Sequence, residues 1–67
     1  MFSIQVNGTT QTIERGLTVA DLLERLNMNP RFLAVELNLK VIPRSEHRQT
    51  KLAPEDRIEI VTLVGGG

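Results

Sequence analysis

The 67-residue sequence predicts an α+β domain, a mixed sheet of four to five strands packed on one helix. Three observations carry this. Residues 2–6 alternate apolar and polar up to an Asn-Gly pair, residues 17–26 carry a helix-start signature followed by apolar residues at helical spacing, and residues 57–64 close the patterned region as a further strand.

The elements follow in order. Phe2, Ile4 and Val6 alternate with Ser3, Gln5 and Asn7, the period of a half-buried strand. Asn7-Gly8 favours a type I′ turn because both positions need φ > 0, so Thr9–Ile13 returns as an antiparallel partner. After Gly16, Thr18 is placed to cap a helix and Asp21 to complete a capping box, with Leu17 and Leu22 as the hydrophobic staple. Val19, Leu22, Leu23 and Leu26 then share one face, and Asp21 and Arg25 are spaced for an i, i+4 pair on the other. Asn27 to Pro30 stops the helix, since Asn tolerates the left-handed conformation and the residue before a proline resists the α region. Phe32–Leu37 reads as a strand, Asn38-Leu39 as a tight turn, and Lys40–Ile42 as a short strand closed by Pro43. Arg44–Lys51 reads as a solvated loop with room for a helical turn, anchored by Leu52. Ala53-Pro54-Glu55-Asp56 makes a turn, and Ile58 and Ile60 point inward from the last strand. A hairpin joined through one helix to later strands, under the right-handed crossover rule, puts the last strand parallel to the first in mid-sheet: a β-grasp arrangement over residues 1–64, followed by a flexible glycine tail at 65–67.

Composition narrows the function. Eight basic and eight acidic residues leave a formal net charge of zero, so no global field draws in nucleic acid or an anionic membrane. Two Phe with no Tyr or Trp offer little for stacking on bases. No cysteine means no disulfide framework, no thiolate metal site and no thiol nucleophile. With no leader-like start and no span of about 20 apolar residues, the chain is expected to be cytoplasmic. A chain this short has too little interior for a core and a deep active site together, so an enzyme is not expected.

The catalytic motifs are missing as well: HExxH, GxxxxGK and GxGxxG do not occur, and no bound cofactor or metal is expected. His47, the single histidine, has no partner in the sequence to orient it and reads as a surface residue. Arg44, Arg48 and Lys51 read as a solvated loop face, or more sharply as a match for an acidic patch on a partner protein. Asp56 reads as a turn-closing carboxylate. The anomaly is Gly65-Gly66-Gly67. At an average glycine frequency of about 7%, three in a row at a chosen place arise by chance roughly 3 times in 10,000. Either they are a frayed end, or they present a carboxylate on a thread thin enough for a crevice closed to side chains. A carboxylate of pKa about 3.5 is ionised at neutral pH and a poor electrophile. It needs activation by ATP as an acyl-adenylate, and that site has to be supplied by a partner. On the last strand Val61 and Leu63 share the parity of Arg57 and Glu59, so two apolar side chains, with Val64 beside the tail, form a candidate docking patch.

The whole chain resembles the ThiS family, ubiquitin-like β-grasp sulfur carrier proteins of thiamin biosynthesis. The resemblance rests on the opening strand with Asn7-Gly8, on Leu17-Thr18-Val19-Ala20-Asp21-Leu22-Leu23, Ala34-Val35-Glu36-Leu37-Asn38, Val41-Ile42-Pro43-Arg44 and Asp56-Arg57-Ile58-Glu59-Ile60, and on the closing Gly66-Gly67. Leu39 and Glu55 depart from the family pattern, where a Gly or polar residue often stands at the first and Gly at the second; both fall in turns. The resemblance implies that an E1-like enzyme adenylates the carboxyl group of Gly67, and that persulfide sulfur from a cysteine desulfurase route replaces AMP. The resulting thiocarboxylate gives its sulfur to a thiazole synthase. Gly66 thins the tail, and Gly65 is one glycine beyond the pair this role needs. Three alternatives stand beside it: a molybdopterin-type sulfur carrier, a ubiquitin-like modifier joined through Gly67 to lysines, and a plain interaction module.

Overall fold

The computed structural model describes residues 1–63. Five strands form one sheet: β1 (Phe2–Val6), β2 (Thr9–Ile13), β3 (Leu33–Leu37), β4 (Lys40–Ile42) and β5 (Arg57–Thr62). A single α-helix, α1 (Val19–Arg25), lies across one face. The strand order is β2-β1-β5-β3-β4, with β5 parallel to β1 and antiparallel to β3, so the last strand occupies the middle as the crossover argument requires.

Each local signature takes its expected form. Asn7 (φ 50°) and Gly8 (φ 82°) make the two-residue hairpin turn, and Val6 pairs with Thr9 directly before it. At the start of α1, Thr18 Oγ1 accepts from the Asp21 amide (3.1 Å) while the Asp21 carboxylate accepts from the Thr18 amide (3.0 Å). The two remaining free amides of the first turn donate outside the helix, Val19 to the Thr50 carbonyl and Ala20 to the His47 carbonyl. That leaves no first-turn donor orphaned and straps the 47–52 segment onto the helix. At the other end Asn27 (φ 59°) donates to the Glu24 carbonyl and Met28 to that of Leu23, the crossed pair of a Schellman stop.

The apolar positions meet between sheet and helix. Ile4, Val35 and Ile58 from the three central strands, with Val19 and Leu22 from α1, are at most 1% exposed, and Leu52 joins the core as the anchor expected for the loop before it. Leu39 (φ 70°) and Glu55 (φ 71°) both adopt the left-handed conformation. This accounts for glycine being common at such turn positions, since a side chain there costs about 1–2 kcal/mol.

Four expectations need correction. The last strand ends at Thr62 instead of running on to residue 64, since Leu63 already lies outside it. The third strand begins at Leu33 instead of Phe32, because Pro30–Phe32 forms a 3₁₀ turn capped by Asn29, whose side chain accepts from the Arg31 amide (2.9 Å). Arg25 does not take Asp21, whose carboxylate is held by the cap; it forms a two-pronged pair with Glu14 at 2.8 and 2.6 Å. And His47 is buried, at 4% exposure, not a surface residue. A 3₁₀ turn at Arg44–Glu46 swings it inward, its carbonyl accepts from Ala20, and its Nε2–H donates to the Ile42 carbonyl at 3.2 Å.

The Glu14–Arg25 pair has a pH signature. Hydrogen bonding from Arg25, aided by the Glu14 backbone amide, holds the Glu14 carboxyl down at about 2 against an ordinary 4.5. A depressed folded-state pKa stabilises above the unfolded value and loses that effect as pH falls through the folded one. Glu14→Gln is therefore expected to be less stable than the parent at pH 7, with the difference fading between pH 4.5 and about 2. Because both side chains are about half exposed, the difference also shrinks with salt. Parallel thermal melts across that range check it, and a pH-independent difference contradicts it.

Candidate functional site

The sequence analysis expects the chemistry beyond the end of β5, and the structure shows how that strand is held. β5 pairs along its length with β3, from Leu37 opposite Ile58 to Leu33 opposite Thr62. One residue further on, the Leu63 amide still donates to the Phe32 carbonyl (2.8 Å). On its other side β1 ends at Val6, so the pairing would stop at Ile58. Asn7 extends it: its amide donates to the Ile58 carbonyl (2.9 Å), and its side chain donates to the Ile60 carbonyl (3.1 Å) and accepts from the Ile60 amide (2.7 Å). The carboxamide thus completes one peptide's worth of ladder that the departing strand cannot supply.

The start of β5 is fixed in a similar way. Asn38 accepts from the Arg57 amide (2.9 Å) and donates to Asp56 (2.9 Å), while Asp56 accepts from the Ala53 amide (2.7 Å). Asp56 has the turn-closing role expected of it. Sequence reasoning assigned Asn7 and Asn38 to their turns and missed both as braces. The only signal was the choice of Asn over Asp or Gly at each, which a turn alone does not demand.

The parity of β5 sorts its residues between the two faces. Ile58 and Ile60 face α1 and are buried, whereas Val61 and Leu63 lie on the open face, each 53% exposed. Across the β3–β5 ladder Val61 stands opposite Ala34, and across β3–β4 Val41 (62% exposed) stands opposite Glu36. Phe32 is 46% exposed and its backbone is bonded to that of Leu63. The expected pair of apolar side chains therefore has further apolar neighbours in Ala34 and Phe32, with Val41 beyond Glu36, on a sheet face that no helix covers among the described residues. Val64, Gly65, Gly66 and Gly67, the remaining residues assigned to docking and to the tail, lie outside the described residues.

Among the described residues no group of three or more His, Asp or Glu is placed to hold a metal ion, and no helix is long and apolar enough to cross a membrane.

Comparison with known proteins adds to this geometry. The model of the ThiS family matches residues 4–67. The sulfur carrier protein ThiS of Bacillus subtilis is 32% identical over 65 residues, covering 96% of this chain and 98% of that protein. A thiazole synthase of Paramagnetospirillum magneticum is 37% identical over 62 residues, and one of Magnetococcus marinus 38% over 64. The matched region makes up 19% and 20% of those two enzymes, so this chain spans about a fifth of their length. The crystal structure of a thiamine biosynthesis protein (ThiS) from Geobacter metallireducens superposes with a TM-score of 0.85 at 30% identity, over 98% of this chain and all of that one. A mixed sheet with a central parallel β5, a single helix and a family match running through Gly67 lead to one conclusion: the chain belongs to the ThiS family, the sulfur carriers of thiamine biosynthesis.

Proposed function

We infer that this protein carries sulfur as a thiocarboxylate on Gly67 and delivers it to a thiazole synthase. The observation that carries the reading is a β5 braced on both sides, with three glycines following in the sequence at 65–67, within a family match that extends to residue 67. The ionised carboxylate attacks the α-phosphorus of ATP in an E1-like partner and releases pyrophosphate. A persulfide from a cysteine desulfurase route then displaces AMP, forming an acyl disulfide. A thiol attacking its other sulfur supplies two electrons, leaves as a disulfide and frees the terminal thiocarboxylate. This chain contributes no cysteine to these steps and needs no cofactor of its own; ATP belongs to the partner. The same proposal places the cycle in the cytoplasm.

Thiazole formation is favoured over a molybdopterin product by the relatives in which a segment similar to this chain is part of a thiazole synthase. The exposed Val61 and Leu63 are the surface we assign to partner docking, with Val64 and the tail following them.

Intact mass tests this reading. Incubation with ATP, an E1-like enzyme and a persulfide source is expected to replace one oxygen by sulfur, with fragmentation placing the change on Gly67. An unchanged mass, from an enzyme shown to act on another carrier, overturns it. In the same assay the double variant Val61→Thr, Leu63→Gln keeps strand-compatible side chains but forfeits about 1 kcal/mol of apolar burial per residue on docking, since each side chain is already about half covered. Its thiocarboxylation at sub-saturating carrier is expected to fall between about tenfold and hundredfold, with an unchanged melting temperature.

A further inference from the structure

The helix side of the fold carries a second surface that the carrier chemistry leaves unused. A cleft of about 570 Å³ lies between α1 and the 44–48 segment. Ala20, Leu23, Met28 and Pro30 give it an apolar floor, and Arg31, Arg44 and Arg48 stand around it. Glu24 is its one lining carboxylate. Among the described residues the ion pair Glu14–Arg25 is the only one, and no guanidinium hydrogen bond is made by Arg31, Arg44 or Arg48. Three cations without an ion pair therefore stand around the cleft in a chain whose net charge is zero, Arg31 also lying over the Phe32 ring at 6.0 Å from its centroid. The fold does not need them there: the 44–52 segment is already tied down by the buried His47 and by its backbone bonds to Val19 and Ala20. Lys51, grouped with these arginines on sequence grounds, does not line the cleft and instead bridges to Thr18.

We propose that this cleft docks an acidic peptide segment of a partner protein, with an apolar side chain on the Leu23–Met28 floor and carboxylates on the arginines. Its volume falls in the range of ligand-binding clefts. A guanidinium fork matches a carboxylate through two hydrogen bonds. The apolar floor argues for a peptide over a bare anion, because a phosphate gains nothing from Leu23 or Met28. The cleft lies on the α1 side of the sheet and the Val61–Leu63 strip on the other, so one carrier can hold an acidic partner segment while its open face and tail engage an enzyme. The inference does not depend on the sulfur chemistry, and either can fail without the other.

The test is an amide and imidazole NMR titration of the full-length ¹⁵N-labelled protein with the peptide acetyl-EDLEDL-amide at about 0.01 M ionic strength. Saturable shifts are expected at amides of residues 20–29, 31 and 44–48 and at the ring of His47, which lines the cleft and, as the chain's single histidine, gives an unambiguous signal. The double variant Arg44→Gln, Arg48→Gln, altered only at exposed side chains, should bind at least about tenfold more weakly, and raising the ionic strength to about 0.15 M should weaken binding several-fold. The control peptides acetyl-QNLQNL-amide and acetyl-EDSEDS-amide should each bind more weakly than the parent. The proposal is overturned by the absence of saturable shifts, by shifts centred on the open sheet face, by unchanged affinity in the arginine variant, or by inorganic phosphate reproducing the peptide's shifts at equal concentration.

Discussion

Adding one alanine after Gly67 is expected to abolish thiocarboxylate formation while leaving the melting temperature unchanged. An extended residue advances the chain by about 3.5 Å, so the extra residue moves the reacting carboxylate well beyond the roughly 1 Å misplacement that already costs about a hundredfold in rate. The alanine also puts a Cβ where the glycine thread passes through the partner's crevice. A parallel variant with an added glycine separates these effects, because it restores the thin thread but not the position; it too is expected to fail. The described core and the braces described on β5 all lie within residues 1–63, upstream of either change. Intact mass after incubation with ATP, the E1-like enzyme and a persulfide source reads the outcome. Full conversion of the alanine-extended protein would refute the positional requirement, that the partner acts only on a carboxylate held where Gly67 ends.

Most of the fold was legible in the sequence because its signals are local. The Asn7-Gly8 turn, the Thr18–Asp21 box and the alternation around Ile58 each involve residues a few positions apart, and each appears as expected. What escaped depends on partners distant along the chain. Arg25 had a candidate partner four residues away, but Asp21 is already held by the helix cap, and Glu14, eleven residues off, is brought within reach by the β2–α1 connection. His47 looked solvated because its neighbours Glu46 and Arg48 are charged; only the 3₁₀ turn before it and the strap onto α1 reveal that its ring faces inward. The candidate site divides in the same way. The exposure of Val61 and Leu63 followed from strand parity, whereas their continuation into Ala34, Val41 and Phe32 required the pairing of three strands.

The largest stability effect predicted near the site comes from Asn7, which does two things at once. It holds a left-handed turn position (φ 50°), and its carboxamide satisfies both the amide and the carbonyl of Ile60, 53 residues away. Asn7→Ala loses both functions. Two partly buried hydrogen bonds at about 0.5–1.5 kcal/mol each, plus a non-glycine left-handed residue, give an expected cost of about 2–4 kcal/mol. At about 0.05–0.15 kcal/mol per residue the whole domain has only some 3–10 kcal/mol in hand, so this variant should melt at least about 10 °C lower. Asn7→Gly separates the two roles: the turn is kept at no steric cost and only the brace is lost, so about half of the destabilisation is expected. Asn7→Asp adds a third readout. Its carboxylate still accepts from the Ile60 amide but sets a second acceptor against the Ile60 carbonyl, which disfavours the ionised form. A folded-state pKa raised in this way stabilises at low pH and loses its effect as pH rises through it, so Asn7→Asp should approach the parent in acid and fall away from it towards neutrality. Hydrogen exchange places the effect in space. The Ile60 amide is expected to lose protection in Asn7→Gly well before those of Val35 or Leu22, because β5 then opens from its unbraced side. Equal protection at Ile60 in parent and Asn7→Gly would mean that β3 alone holds the base of the tail, and that Asn7 is a turn residue and nothing more.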